Sequence, residues 1–306
     1  SLAGGGRTVV APLLGAATVS GARRILTSGG VPNYPGPERA VRAIHGMLRY
    51  GRFRPGEPEE ARETPAVRPP AAASPIRSAL EAGRRTLGEE ESRGVLEAYG
   101  FAFPRHAFAD TSAAAAEAYR GLGSGTVVMK IVSPDILHKT DVGGVRLSLS
   151  SGEEVARAFV EITSSVRRRA PSAWVAGVSV QEMVVGGREL ILGMSRDPQF
   201  GPLLMFGLGG IYVEVLRDVS FRVAPLSRRD AEEMVREIRS YPLLASYRGS
   251  EPADEEAIVE ALLRVSRLSC DFPEIQELDI NPLIVLPRGR GVRAIDCRMT
   301  IAEARP

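Results

Sequence analysis

The chain has 306 residues, with 39 Lys and Arg against 37 Asp and Glu, giving a formal charge of +2. That length suits two or three units of ordinary size, and so small a basic excess argues against a nucleic-acid binder. No apolar run approaches the roughly 20 residues needed to span a bilayer, and two cysteines, Cys270 and Cys297, are too few for a disulfide framework.

Both thiols are expected to be free and buried, and the chain to be cytoplasmic. The basic residues are mostly arginine. The opening Ser-Leu-Ala-Gly-Gly-Gly-Arg carries no leader pattern, and its first residue is not Met, so more chain is expected upstream.

In chain order, Thr8–Leu14 reads as a strand and Val19–Ser28 as a helix closed by Gly29-Gly30. Val31–Tyr34 is a short strand. Pro35-Gly-Pro-Glu38 opens a helix expected to bury Ala40, Val41, Ile44 and Met47. Two such units make half of a parallel α/β sheet, which needs partner strands from elsewhere. Residues 55–75 hold six prolines and no Ile, Leu or Phe, and read as an extended linker.

A larger unit follows, with helices over Ile76–Arg85 and Glu89–Tyr99, the second stopped by Gly100. Then come a strand over Phe101–Ala109, a helix after Thr111 and a strand over Thr126–Ile131. Ser151 and Glu154 form a capping box ahead of the stripe Val155, Ala158, Phe159 and Ile162. Strands are expected over Val175–Met183, Glu189–Ser195, Leu203–Gly207, Tyr212–Leu216 and Val219–Ala224. Ser227 with Asp230 caps a helix burying Ala231, Met234, Val235 and Ile238; Asp254 starts another. Short strands close the chain around Ile275–Ile280, Leu283–Val285 and Val292–Ile295. Strand runs mixed with helix pairs point to an α+β fold.

Chemistry concentrates in two stretches. In Thr126–Val145 an apolar strand carries Lys130, and a loop with His138 and Lys139 closes on Gly143-Gly144. Lys130 at a strand end suits a nucleotide phosphate, though a lone lysine is more often a surface residue. A neutral imidazole is a competent phosphoryl acceptor, and the glycine pair permits close backbone approach. The second stretch, Glu277-Leu-Asp-Ile-Asn-Pro-Leu283 with Asp296 beyond it, offers Asn281 and Asp296 on neighbouring strands, a donor pair suited to magnesium beside substrate phosphates. Between them, a hairpin from Glu182 to Glu189 can serve an adenine edge and ribose hydroxyls, and Gly207-Leu-Gly-Gly210 is a tight turn able to approach a ligand.

Taken in order, Lys130, His138-Lys139, Gln181-Glu182, Arg188-Glu189, Asp197-Pro-Gln-Phe-Gly-Pro202, Gly207-Leu-Gly-Gly-Ile-Tyr-Val-Glu-Val-Leu216 and Glu277-Leu-Asp-Ile-Asn-Pro-Leu283 resemble the ATP-grasp half of the ADP-forming acyl-CoA synthetases, relatives of succinyl-CoA synthetase. The resemblance covers residues 76–306. Residues 1–54 are similar to the last part of the flavodoxin-like ligase domain that precedes the module in fused members. It implies an α+β ATP-grasp module of two lobes, 76–178 and 179–306, after a partial flavodoxin-like α/β segment and the 55–75 linker.

The implied reaction is acyl-CoA, ADP and phosphate to acid, CoA and ATP, reversibly, through a phosphohistidine. His138 would relay the phosphoryl group with Lys139 beside it. Lys130, Glu182, Val184, Val185, Glu189, Gly209 and Gly210 would hold ATP or ADP, while Asn281 and Asp296 would hold Mg2+. The implied partners are CoA-binding and phosphohistidine-bearing domains, upstream or on a separate subunit, and a small acid or acyl-CoA, in an oligomer without nucleic acid or membrane. His45 and His106 match no motif and receive no role. Two rivals are a nucleotide-sensing regulatory module of a larger protein, such as an acetyltransferase fusion, and an assembly scaffold.

Overall fold

The computed structural model describes residues 8–15, 18–52, 68–123, 125–136, 138–210, 216–246 and 251–303. The chain divides into two units, Ser1–Arg62 and Glu63–Pro306. In the first, β1 (Ala11–Pro12), α1 (Ser20–Ser28), β2 (Asn33–Tyr34) and α2 (Pro37–Arg52) follow in order. β1 and β2 pair in parallel, Ala11 opposite Asn33 and Pro12 opposite Tyr34, with α1 as the crossover that a parallel pair requires. Both strands are shorter than expected. Of the four apolar residues expected to be buried on α2, only Ala40 is; Ile44 is half-buried, while Val41 and Met47 are exposed. Two strands of two residues have too little surface to cover a helix face.

The expected linker is a correction in part. Residues 53–67 lie outside the described residues, but α3 (Pro70–Glu81) already begins at Pro70. A proline in the first turn gives up no hydrogen bond, and Ala71, Ala72 and Ala73 are strong helix formers.

Among the described residues, the second unit holds two antiparallel sheets with separate cores. The smaller sheet runs β3 (His106–Ala109), β6 (Gly177–Glu182), β4 (Val127–Val132), β5 (Val145–Leu149) across its width. Helices α5 (Ser112–Gly121) and α6 (Gly152–Arg169) contribute Ala115, Val155, Ala158, Ile162 and Val166 to its core. Ser151 caps α6 by accepting from the Glu154 amide at 3.2 Å, but the Glu154 carboxylate returns to the amide of Ser150, not Ser151, at 2.8 Å. The reciprocal half of the expected box is one residue out.

The larger sheet runs β11 (Val292–Ala294), β10 (Ile275–Val285), β7 (Arg188–Asp197), β8 (Gly201–Leu208), β9 (Val219–Val223), with β12 (Cys297–Ile301) beside the first half of β10. Its core takes in α3, α4 (Glu89–Ala98), α7 (Arg228–Glu237) and α8 (Glu255–Asp271). Ser227 and Asp230 close a complete capping box on α7, as expected. The strands β5 and β12 lie outside the expected ones, because both alternate apolar residues with Arg, Ser or Thr over only five positions. The strand expected over Tyr212–Leu216 falls largely on residues 211–215, outside the described ones.

Two expectations about the lobes change. The division at 178/179 runs through β6, and α3 and α4 pack with the larger core, so the smaller sheet is an insertion between α4 and β7. The expected hairpin from Glu182 to Glu189 is a crossover: β6 pairs within the smaller sheet and β7 within the larger. Cys297 is buried as expected, whereas Cys270 is exposed at the end of α8. Among the described residues no helix is long and apolar enough to cross a membrane.

Candidate functional site

Strand alternation decides which side chains of the two sheets can meet. In β4, Val127, Met129 and Ile131 enter the smaller core, leaving Lys130 on the opposite face beside its register partner Ser179. In β10, Leu278 and Ile280 enter the larger core, leaving Glu277 and Asp279 on the other face. The alternation Glu277-Leu-Asp279-Ile-Asn281 is therefore an acidic edge backed by an apolar one.

Asn281 and Asp296 occupy matching breaks in two neighbouring strands. β10 pairs with β12 up to Ile280 and with β11 from Leu283 onward, and its register shifts between those residues. Pro282 lies in that interruption, where a residue without an N–H costs the ladder nothing. Asp296 falls between β11 and β12. The Asn281 amide donates to Asp296 O at 3.1 Å, and the Ile295 amide donates to Pro282 O at 3.0 Å. The two breaks are thus stitched together, with the Asn281 and Asp296 side chains at the stitch.

Onto this point the smaller lobe delivers two cations. Lys130 is only 6% exposed; its Nζ donates to Ile295 O at 3.0 Å and lies 4.0 Å from Asp296 Oδ2. Lys139 Nζ lies 3.6 Å from the same oxygen and donates to Glu89 Oε2, at the start of α4, at 2.6 Å. These are the only two lysines in the chain; its 37 other basic residues are arginine. An ammonium is a compact point charge with three rotatable donors, unlike the planar five-donor guanidinium fork. The scarcity of lysine is plain in the sequence; that both lysines meet here is not.

The electrostatics follow from the crowding. Burial lowers the Lys130 pKa, with Asp296 and Glu89 opposing it. For Lys139 burial also acts downward, but Asp296 and Glu89 overcome it and the net shift is up. Asp279 is pushed up by the protein around it and then by the Asp296 carboxylate. The Asp296 carboxylate disfavours charge on Asp279, and with Asn281 at the same stitch these residues offer the hard oxygens that a divalent cation takes. Among the described residues no three His, Cys, Asp or Glu side chains form a metal cluster by themselves. A cation here would complete its shell with phosphate and water, as magnesium does.

His138 is exposed, next to Lys139 in the loop joining β4 to β5. The glycines that close this loop lie at points of close packing. A Cβ on Gly143, whose φ is +67°, would sit 2.6 Å from Ser165 Oγ, and one on Gly144 would sit 2.6 Å from Ile131 Cγ2 and 2.8 Å from Lys139 O. They let the loop lie flat against α6 and β4.

The remaining candidates gather around the crossover. Glu182 is engaged by Arg105, which donates from Nε at 2.9 Å and from its backbone N–H at 3.2 Å; the Arg105 hydrogen bond holds the Glu182 carboxyl below its usual range. The expected role at an adenine edge would have to displace that pair. Val184 and Val185 follow in the crossover, Val185 exposed. Glu189 stands at the start of β7, and the Gly209 amide donates to its carbonyl at 2.8 Å. A Cβ on Gly209 would lie 3.1 Å from Glu189 Cβ, so the glycine turn folds directly onto Glu189.

Two participants went unseen in the sequence. Asp279 had a signal, the period-two alternation with Asn281. Glu89 had none, since it reaches Lys139 across 50 residues of chain.

Residues 78–301 match the family model described as ATP-grasp domain. The chain is 46% identical over 298 residues to an ADP-forming acetate–CoA ligase I of Archaeoglobus fulgidus, covering 97% of this chain and 43% of that protein. It is 45% identical over 221 residues to the β subunit of the ADP-forming acetate–CoA ligase I of Pyrococcus furiosus, covering 72% of this chain and 94% of the subunit. A solved dinucleotide-forming acetyl-coenzyme A synthetase 1 of Ca. Korarchaeum cryptofilum, in complex with coenzyme A and Ca-AMPCP, superposes with a TM-score of 0.72 at 45% identity, over 76% of this chain and all of that one. The same synthetase is solved with Mg-AMPPCP, at a TM-score of 0.65 and 43% identity with the same coverage. The chain spans less than half the length of the first full-length relatives it matches.

Proposed function

Because the chain belongs to the ATP-grasp family, in its branch of ADP-forming acid–CoA ligases, we propose that it is the nucleotide-binding, phosphoryl-transfer part of such a ligase. The observation that carries this reading is the meeting of the chain's two lysines with the Asn281–Asp296 stitch. The whole reaction would convert acyl-CoA, ADP and phosphate into acid, CoA and ATP. CoA-binding and phosphohistidine-bearing domains, on a longer chain or a separate subunit, would supply the other half. Further strands beside β1 and β2 would come from the same source, completing a flavodoxin-like domain.

In the nucleotide half-reaction, an imidazole nitrogen of His138 attacks the γ-phosphorus of ATP while the bond to the β–γ bridging oxygen breaks and ADP leaves; the reverse step makes ATP. Lys130 and Lys139 exchange their carboxylate partners for phosphate oxygens and balance the charge that moves to the leaving diphosphate. Magnesium, held by Asn281 and Asp296, would supply further charge neutralisation on those oxygens. Glu189, Gly209 and Gly210 would line the ribose side, with Glu182 and the Val184–Val185 backbone at the base.

Incubation with γ-labelled ATP and Mg2+ tests this. An acid-labile label is expected, absent from His138→Ala. Label surviving that substitution would remove His138 from the relay, and ADP binding without any label would favour the nucleotide-sensing alternative.

A further inference from the structure

We propose that Arg169 and Ser165 of α6, with Arg146 of β5, form a latch that sets how far His138 can travel; this rests on the phosphohistidine reading above. The loop is tied on both sides of the histidine. Upstream, Ile136 is 7% exposed and part of the smaller core. Ser133 Oγ donates to Trp174 O at 2.5 Å, and the Trp174 amide donates to Asp135 Oδ2 at 2.8 Å.

Downstream, three successive loop carbonyls each accept from a side chain outside the loop. Arg169 Nη1 donates to Asp141 O at 2.7 Å, Ser165 Oγ to Val142 O at 3.0 Å, and Arg146 Nη1 to Gly143 O at 3.3 Å. Solvent would satisfy such carbonyls as well, so the donors add attachment, not mere satisfaction. The glycine at 143 is what lets the turn come this close to Ser165.

The ties bound the motion of the imidazole. His138 is two residues from Ile136 and three from Asp141, and an extended chain spans at most ~3.6 Å per residue. The Ile136 tie by itself keeps the His138 Cα within about 7 Å of the Ile136 Cα, and the closed latch also keeps it within about 11 Å of the Asp141 Cα. A histidine loaded at the nucleotide and unloaded elsewhere must swing about one of these ties, and the other limits its arc. Ile136 is held by the core, whereas Arg169 is exposed, so the latch is the tie that opens. Arg146, Ser165 and Arg169 are positioning residues: they hold His138 at the nucleotide while it is loaded.

The test follows two readouts in the full chain: hydrogen exchange at the amides of Asp141, Gly143 and Gly144, and single-turnover labelling of His138 from Mg-ATP across ATP concentrations. In the double variant Ser165→Ala with Arg169→Ala, exchange should quicken and maximal labelling should fall, each by about tenfold. The ATP concentration giving half-maximal labelling should stay unchanged. Arg169→Lys should recover part of the loss. Arg168→Ala, the adjacent arginine that makes none of these bonds, should match the wild type. Unchanged exchange and labelling in the double variant would overturn the latch and leave the relay standing, as would a loss explained by weaker ATP use and a lower melting temperature. A wild type that acquires no label on His138 would overturn both.

Discussion

At the scale of single residues, lysine usage is the plainest sign of a site. A chain that otherwise uses arginine for its basic residues places its two lysines within 4.0 Å of one carboxylate oxygen. Lys130 is buried at a cost, since burial weakens its hold on the proton, and its removal leaves Asp296 paired with Lys139 at 3.6 Å, so no carboxylate is stranded without a cation. Lys130→Met should thus melt within a few degrees of the wild type or above it, while Mg-ADP affinity by calorimetry falls tenfold or more. Unchanged affinity would remove Lys130 from the nucleotide site.

Asp218 makes a different residue-scale case. Burial acts to raise its pKa, but hydrogen bonds from Ser240 and the Arg239 amide, at 2.7 and 2.8 Å to the two backbone N–H groups, win and the net shift is down. A carboxyl held below its unfolded value stabilises the fold above that value, near pH 4, and loses this as pH falls through the lower folded value. Asp218→Asn should cost about 1–3 kcal/mol at pH 7 and flatten the acid limb of a urea-denaturation series. An identical acid limb would contradict the assignment.

At the scale of elements, the sequence shows helices and most strands because their apolar periods and caps are local. Ser227 with Asp230, Thr111 and Asp254 all mark helix starts that the fold uses. What it hides is partnership. Nothing local says that β6 and β7 belong to different sheets, or that β10 changes partner at Asn281-Pro282, because hydrogen-bonding partners come from distant segments. The short strands β5 and β12 gain their place from pairing with β4 and β10 rather than from propensity. The Gly143-Gly144 pair was legible as a close approach, but what it approaches, Ser165 and Ile131, was not. Gly144→Ala would push a Cβ into Ile131 Cγ2 and the Lys139 carbonyl. Overpacking of this kind should lower stability by about 1–3 kcal/mol, read as a fall in thermal midpoint. A midpoint equal to the wild type would mean that the loop does not lie against β4.

At the scale of the whole molecule, the ATP-grasp match over residues 78–301 falls wholly within the second unit, Glu63–Pro306. A fragment of residues 63–306 should therefore fold cooperatively and bind Mg-ADP with the affinity of the full chain. Failure to fold would tie the two units together. The site itself was half legible: Lys130, Lys139, Asn281 and Asp296 stood out in two motifs, but their convergence needs the insertion of the smaller sheet ahead of β7.

The central claim is that the two lysines and the Asn281–Asp296 stitch grip one metal-bound diphosphate between the two sheets. A crystal structure of the chain with Mg2+ and ADP tests it most directly. The account predicts the metal about 2.1 Å from oxygens of Asn281 and Asp296, with the diphosphate reached by Lys130 and Lys139 in place of their carboxylate partners. ADP bound elsewhere, or bound with both lysines still on Asp296, would contradict it.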